Sequence, residues 1–159
     1  QHGGGGGGGG VVVSAYAAPE VAAGSELSSK TDVWAFGCIF LEAATGRGLW
    51  EGLDDEQIAR RLTAVHSSSP TWGGTPPPDL STVEATSSDL AKLLSDCLQP
   101  SPAARPTMQR VRDELERVRG GLQESGGGSQ DVSILGRLTD SAIKRLELLA
   151  LQPSADEGG

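Results

Sequence analysis

Gly3 to Gly10 is an unbroken glycine tract that formally contains G-x-G-x-x-G, a spacing whose backbone N–H groups can cradle phosphate. Such a cradle needs a strand before the glycines and a helix after them. Only Gln1 and His2 precede the tract, and Val11 to Val13 reads as extended chain, so a flexible, disordered linker over residues 1–10 is expected. His2 and His66 stand alone, without the spacing of metal ligands, which argues against a zinc site. Cys38 and Cys97 each fall within an apolar helical pattern, as buried thiols do. Two such cysteines do not make a disulfide scaffold, and a reducing, cytoplasmic setting fits them.

Charge and composition narrow the partners. The 159 residues carry a formal net charge of -8, which argues against a nucleic-acid or anionic-membrane surface, since both need clustered cations. The basic residues are dispersed or interleaved with acids, as over Arg110 to Arg119, in the manner of a solvated helix face. The longest apolar run, Val33 to Leu41, is too short to cross a bilayer, and no signal peptide is evident. The first residue is Gln1 rather than Met, which suggests a piece of a longer product.

The elements that would position any site are helical. Val33 to Ala44 is apolar almost all round, as in a helix buried on most sides. Ser29 and Asp32 have the spacing of a capping box at its start, and Gly46 suits a left-handed cap at its end. A second helix is expected from Asp54 to about His66, with Ile58, Leu62 and Val65 inward. Ser67 to Ala85 reads as a long, polar, Pro-rich loop. Leu90, Leu93, Leu94, Cys97 and Leu98 carry the strongest helical periodicity, and Pro100 and Pro102 break the chain after it. A further helix begins at Thr107 with Met108, Val111, Leu115 and Val118 on one face, and Gly120-Gly121 is expected to stop it. After a Gly/Ser linker over 120–130, an amphipathic helix over 131–152 is marked by Leu135, Leu138, Ala142, Leu146 and Leu149. Residues 153–159 read as a disordered tail. No strand signal of any strength is present, so the fold class is mostly α.

Three segments in order then resemble the protein kinase family. Ser14-Ala15-Tyr16-Ala17-Ala18-Pro19-Glu20 looks like the end of an activation segment. Ser28 to Gly46 is similar to the kinase helix that opens with Asp (here Asp32), follows with Trp (Trp34) and then Gly (Gly37). Cys97 to Met108 resembles the Arg-Pro signature, Arg105-Pro106, that opens the last kinase helix. The resemblance covers Ser14 to Val118 and implies a C-terminal helical lobe of a protein-kinase-like fold over 11–119, with the N-terminal β lobe absent. It leans towards the Ser/Thr type because Tyr16 stands where tyrosine kinases usually place Trp nearby, and Arg105-Pro106-Thr107-Met108 leans towards the tyrosine-kinase-like group.

What the resemblance implies for individual residues follows. Glu20 and Arg105 would form a shielded ion pair, a task that suits the planar guanidinium fork. Asp32 would accept N–H bonds from the catalytic loop; on residue chemistry alone it is an anion in a helix's first turn. Tyr16 would line the pocket beside the phosphoacceptor. Val13 stands where Ser/Thr kinases commonly carry Thr, and it cannot supply that hydroxyl.

Phosphoryl transfer also needs positioned phosphates, metal ligands and a base. Kinases supply these from a Gly-rich loop, a strand Lys, His-Arg-Asp with a downstream Asn, and Asp-Phe-Gly, all before Ala-Pro-Glu. This chain contains no Asn, and none of Lys30, Lys92 and Lys144 follows a strand. No catalytic, cofactor-binding or metal-binding residues are therefore assigned; ATP and Mg are implied only for a full-length kinase. Without a catalytic loop, one face of Trp34, Phe36, Ile39 and Phe40 is expected to be uncovered, giving marginal stability or self-association. Two readings remain open: a partial kinase domain acting on protein substrates, inactive alone, or a non-catalytic scaffold whose contact surface includes the Ile58 helix, the Pro-rich loop and the last helix.

Overall fold

A computed structural model of the chain describes residues 15–124 and 130–150, with only the backbone described at 149 and 150. Among these residues the architecture is helical, with no strand. The order is α1 (Pro19–Ala22), α2 (Ser29–Thr45), α3 (Asp55–Ser67), α4 (Ser81–Thr86), α5 (Ser88–Cys97), a 3-10 turn (Pro102–Ala104), α6 (Met108–Glu124) and α7 (Gln130–Ala150).

Helix α2 is the rod around which the rest packs, touching α4, α5, the 3-10 turn, α6 and α7. Its start is a capping box one residue earlier than the sequence pattern suggests. Ser28 Oγ accepts from the Thr31 N–H at 3.4 Å, and Thr31 Oγ1 accepts from the Ser28 N–H at 3.2 Å. Asp32 is left as an exposed acid in the first turn, where it favours the helix dipole. At the other end Gly46 adopts φ 72°, a left-handed cap whose N–H bonds the Glu42 carbonyl at 2.7 Å. Halfway along, Gly37 lets α5 come close: a Cβ there would lie 2.9 Å from Leu98 Cγ and 3.1 Å from Cys97 Cβ.

Helix α3 opens on a second capping box, with Asp54 Oδ1 accepting from Gln57 N and Gln57 Oε1 accepting from Asp54 N. Its Ile58, Leu62 and Val65 face inward. Helix α5 buries Leu90, Ala91, Leu93, Leu94 and Cys97. Both cysteines are free and buried, and burial pushes each thiol up to about 12.

Three sequence expectations need correction. The Pro-rich stretch before α5 is not loop throughout: α4 forms at its end because Val83, 1% exposed, docks into the core. Gly120-Gly121 does not stop α6, which runs on to Glu124. Leu122 continues the buried stripe Val111, Leu115, Val118, and burying it outweighs a glycine cost of roughly 1 kcal/mol each. The third concerns the uncovered face of α2. Trp34 is fully buried, Phe40 is 5% exposed, Phe36 is half-buried, and of the four only Ile39, at 54%, is open.

Part of that cover comes from α7, which lies antiparallel on α6. Arg112 pairs with Glu147 at 3.3 Å and Arg119 with Asp140 at 3.6 Å, so seven residues forward on one helix are seven back on the other. Leu135, Ile143 and Leu146 of α7 join the same core cluster as α2 and α5. Thr139 is fully buried but satisfied, its hydroxyl donating to the Leu135 carbonyl at 2.7 Å. Residues 1–10, the Gly/Ser stretch 125–129 and the tail from 151 lie outside the described residues.

Gly37→Ala is expected to lower stability by about 1–3 kcal/mol, because its methyl group would crowd buried Leu98. Gly120→Ala and Gly121→Ala, where a Cβ meets nothing within 4 Å, are each expected to gain up to ~1 kcal/mol. Urea midpoints at unchanged slope check all three. In the native protein, thiol alkylation at pH 8 is expected to leave Cys38 and Cys97 untouched, and denaturation to expose both; rapid native labelling would contradict the packing.

Candidate functional site

Arg105 follows the 3-10 turn in extended conformation, φ -77° and ψ 147°, which turns its side chain inward between α1, α2 and the chain after α5. Pro106 behind it is half-buried. On the facing element, Ala18 is the extended residue ahead of α1, Pro19 takes the first helical position where its missing N–H is not needed, and Glu20 sits in the first turn. Ala18, Pro19 and Glu20 are all buried.

The guanidinium meets the carboxylate fork to fork. Arg105 Nη1 donates to Glu20 Oε1 at 2.7 Å and Nη2 donates to Glu20 Oε2 at 2.9 Å. The remaining donors go to carbonyls: Nη1 to Lys30 at 3.0 Å, Nη2 to Pro100 at 3.3 Å and Nε to Gln99 at 2.8 Å. A guanidinium has five N–H groups, and here each has an acceptor. The Trp34 ring lies under the cation, its centroid 5.1 Å from Arg105 Cζ. Side-chain exposures of 0% for Arg105 and 8% for Glu20 make this a desolvated pair, not a surface one.

Two further groups complete the network. Thr31 Oγ1 donates to Glu20 Oε1 at 3.3 Å, and Lys30 Nζ donates to the Arg105 carbonyl. Sequence reasoning missed both, although Thr31 stands at the capping spacing from Ser28. Burial pushes the Glu20 carboxyl up, but the hydrogen bond from Arg105, its own backbone N–H, the Arg105 charge and Thr31 outweigh this and hold it below 4.5.

The structure therefore brings Ala18, Pro19, Glu20, Trp34, Arg105 and Pro106 together, with Gly37 one turn further along α2 at the α5 contact. Asp32 and Tyr16 stand apart from the pair, both on the surface. Tyr16 is 39% exposed, and its hydroxyl donates to Glu42 Oε2 at 2.7 Å; that bond and the Glu42 charge push the phenol up from 10.0. Val13 lies outside the described residues. This arrangement can tie a segment to a helical body; it offers no nucleophile and no base.

Comparison with known proteins agrees with this geometry. The family model for the protein kinase domain matches residues 9–114, which contain both halves of the buried ion pair. The human dual specificity tyrosine-phosphorylation-regulated kinase 3 is 39% identical over 66 residues, covering 41% of this chain and 10% of the relative. The yeast (Saccharomyces cerevisiae) MAP kinase kinase kinase SSK2 is 36% identical over 94 residues, 57% of this chain and 5% of that protein. Human cyclin-dependent kinase-like 4 is 29% identical over 115 residues, 60% of this chain and 30% of the relative. The chain belongs to the protein kinase family, and the helices from α1 to the start of α6, which the match covers, are those of a kinase C-terminal lobe. It spans only a small part of the curated relatives it matches, between 5% and 30% of their lengths in these three. No solved structure matches it.

Glu20→Gln and Arg105→Met are each expected to destabilise the fold by about 3–5 kcal/mol, since either leaves a buried polar partner uncompensated. Replacing both with apolar residues of similar size is expected to recover much of that loss, and a double-mutant cycle by chemical denaturation measures it. Because the folded pKa of Glu20 is depressed, its contribution is complete above the unfolded value near 4.5 and is lost as pH falls through the folded value. An acid titration of stability is expected to fall below that pH in the native protein and to be flatter in Glu20→Gln.

Proposed function

We propose that this chain is the helical part of a Ser/Thr-type protein kinase domain, of the tyrosine-kinase-like group. Its role in phosphoryl transfer from ATP to a protein hydroxyl is to anchor the end of the activation segment. The observation that carries this reading is the bidentate Glu20–Arg105 pair, which fastens Ala18-Pro19-Glu20 to the loop before α6 with every guanidinium donor used. The family match and the relatives' names support kinase chemistry at the level of the family.

The residues present do not fit an ATP–Mg complex. Lys30 Nζ is committed to the Arg105 carbonyl, and Lys92 pairs with Asp96 at 3.0 Å, so neither is poised for a phosphate. The chain has no Asn, and the described residues bring no three of His, Cys, Asp and Glu into a metal-holding group. On this reading the 159-residue chain alone transfers no phosphate. Its partners on this reading are protein substrates within a larger domain, not nucleic acid, given the charge of -8. No helix among the described residues is long and apolar enough to cross a membrane, and two buried free thiols favour an intracellular setting.

A second reading has its own support. Helix α7 lies beyond the family match, yet its Leu135, Ile143 and Leu146 are built into the core. A kinase-like lobe closed by its own extra helix can serve as a non-catalytic binding module.

Sequencing the transcript upstream of the Gln1 codon separates the two. An open frame encoding a Gly-rich loop, a strand Lys and His-Arg-Asp supports the enzyme; a start codon next to Gln1 supports the module. For the chain itself, titration with Mg-ATP is expected to leave the thermal midpoint unchanged, and a saturable upward shift would contradict its assigned inactivity.

A further inference from the structure

A polar cavity of about 680 Å³ lies between the end of α2, the loop that follows it, α3 and the prolines ahead of α4. Four charged side chains line it: Arg47, Glu51, Arg61 and Asp79. Three of them are answered. Arg47 faces Glu51 at 3.9 Å, and Asp79 Oδ1 accepts from the Ser81 N–H at 3.0 Å and from the Ser81 hydroxyl at 2.6 Å. Arg61, half-buried on α3, has no hydrogen-bond or ion-pair partner among the described residues. Its neighbour Arg60, by contrast, pairs with Glu56 at 2.8 Å. Arg61 thus brings a planar fork of N–H donors to the cavity with no protein acceptor to fill it.

Thr75 stands alongside it. Gly73 is pressed against α3, where an added Cβ would lie 2.8 Å from the Ala64 carbonyl oxygen, and Pro76 lines the cavity together with Arg61. Ala64 and Arg61 are about 4.5 Å apart along the helix axis, so the loop runs back along α3 and carries Thr75 past that turn. The Thr75 N–H closes a turn on the Trp72 carbonyl at 2.9 Å, while its hydroxyl has no partner among the described residues. Pro76, Pro77 and Pro78 follow without helix and without an N–H to offer. The other hydroxyls that precede a proline lack this setting. Neither Ser69 nor Ser101 lines the cavity, and Ser101 adjoins buried Pro100, whose carbonyl serves Arg105.

We propose that Thr75 is a phosphorylation site for a proline-directed protein kinase, and that its phosphate is held by Arg61. This chain is the substrate of that step, not its catalyst. The γ-phosphorus of ATP bonds to Thr75 Oγ1, its bond to the ADP oxygen breaks, and the hydroxyl proton leaves to the base of the modifying kinase. A phosphothreonine dianion then offers three oxygens, two of which match the guanidinium fork. Glu51 and Asp79 oppose the new charge, but Arg47 and Ser81 already answer them, which leaves Arg61 for the phosphate. The loop pinned in this way carries Trp72, whose ring centroid lies 5.9 Å from that of Trp34 beneath Arg105. The modification therefore braces the segment that packs against the floor of the buried ion pair.

Incubating the full chain with an active mitogen-activated protein kinase and Mg-ATP, followed by tandem mass spectrometry, tests the site. A phosphate on Thr75 is expected, and its loss in Thr75→Val. Phosphorus NMR across pH then tests the acceptor. Beside Arg61 the second phosphate pKa is expected to fall below its ordinary value of about 6, because a cation favours the dianion, and to return in Arg61→Gln. The phosphorylated chain is also expected to melt roughly 2–6 °C above the unmodified one, a gain lost in Arg61→Gln. Circular dichroism checks that Arg61→Gln keeps its helix. If it does not, the reference is a phosphopeptide spanning 70–80, whose phosphate is expected to titrate at higher pH than that of the chain. No phosphate at Thr75, or phosphate at Ser69 or Ser101 alone, overturns the proposal. A phosphate pKa indifferent to Arg61→Gln, or equal to that of the peptide, overturns it as well.

Discussion

A buried guanidinium has no tolerance for an unmatched N–H, and in this fold that demand falls on Arg105. Its five donors draw in a carboxylate from α1, a carbonyl from the start of α2, and two carbonyls from the chain leaving α5. The stretches around Glu20 and Lys30, both distant in sequence, must therefore meet the chain that leaves α5 at one side chain. The pair with Glu20 is electrically neutral as a unit, and Trp34 beneath it supplies an apolar floor with a negative ring face. Desolvating both ions costs much of what their attraction returns. What the network secures is geometry, because only one placement of α1 fills the fork.

The second constraint is that α2 has almost no polar side to give to water. Its residues touch helices in nearly every direction, and where α5 approaches, only the missing side chain of Gly37 leaves room for Leu98. The α6–α7 hairpin answers the remaining face in part. Its apolar stripe packs inward, and its cross-helix pairs Arg112–Glu147 and Arg119–Asp140 stay at the rim, where such pairs set register more than they add stability. What remains open is the groove around Ile39.

The existence and faces of the longer helices were legible in the sequence, since each repeats apolar residues at helical spacing and carries recognisable caps: Asp54 before α3, Gly46 after α2, Leu90 to Leu98 along α5. The boundaries that were misjudged each turned on a tertiary contact. Ser28 and Ser29 are equally good caps on local grounds; Thr31, which completes the box with Ser28, also bonds Glu20 from another helix. The glycine pair at 120–121 looks like a stop until Leu122 finds the core. Val83 is too isolated an apolar residue to announce α4, and it counts only because the core is there to receive it.

By itself, the sequence determined that the chain is helical, that Ala-Pro-Glu and Arg-Pro stand in kinase order, and that no Asn is available for a metal. These are matters of composition, period and spacing, which are local and additive. Tertiary structure alone decided that Lys30 and Thr31 join the ion pair, that Asp32 and Tyr16 stay outside it, and that α7 covers most but not all of the apolar face of α2. Such outcomes depend on which groups are taken out of water together, and that is settled only when separated segments meet.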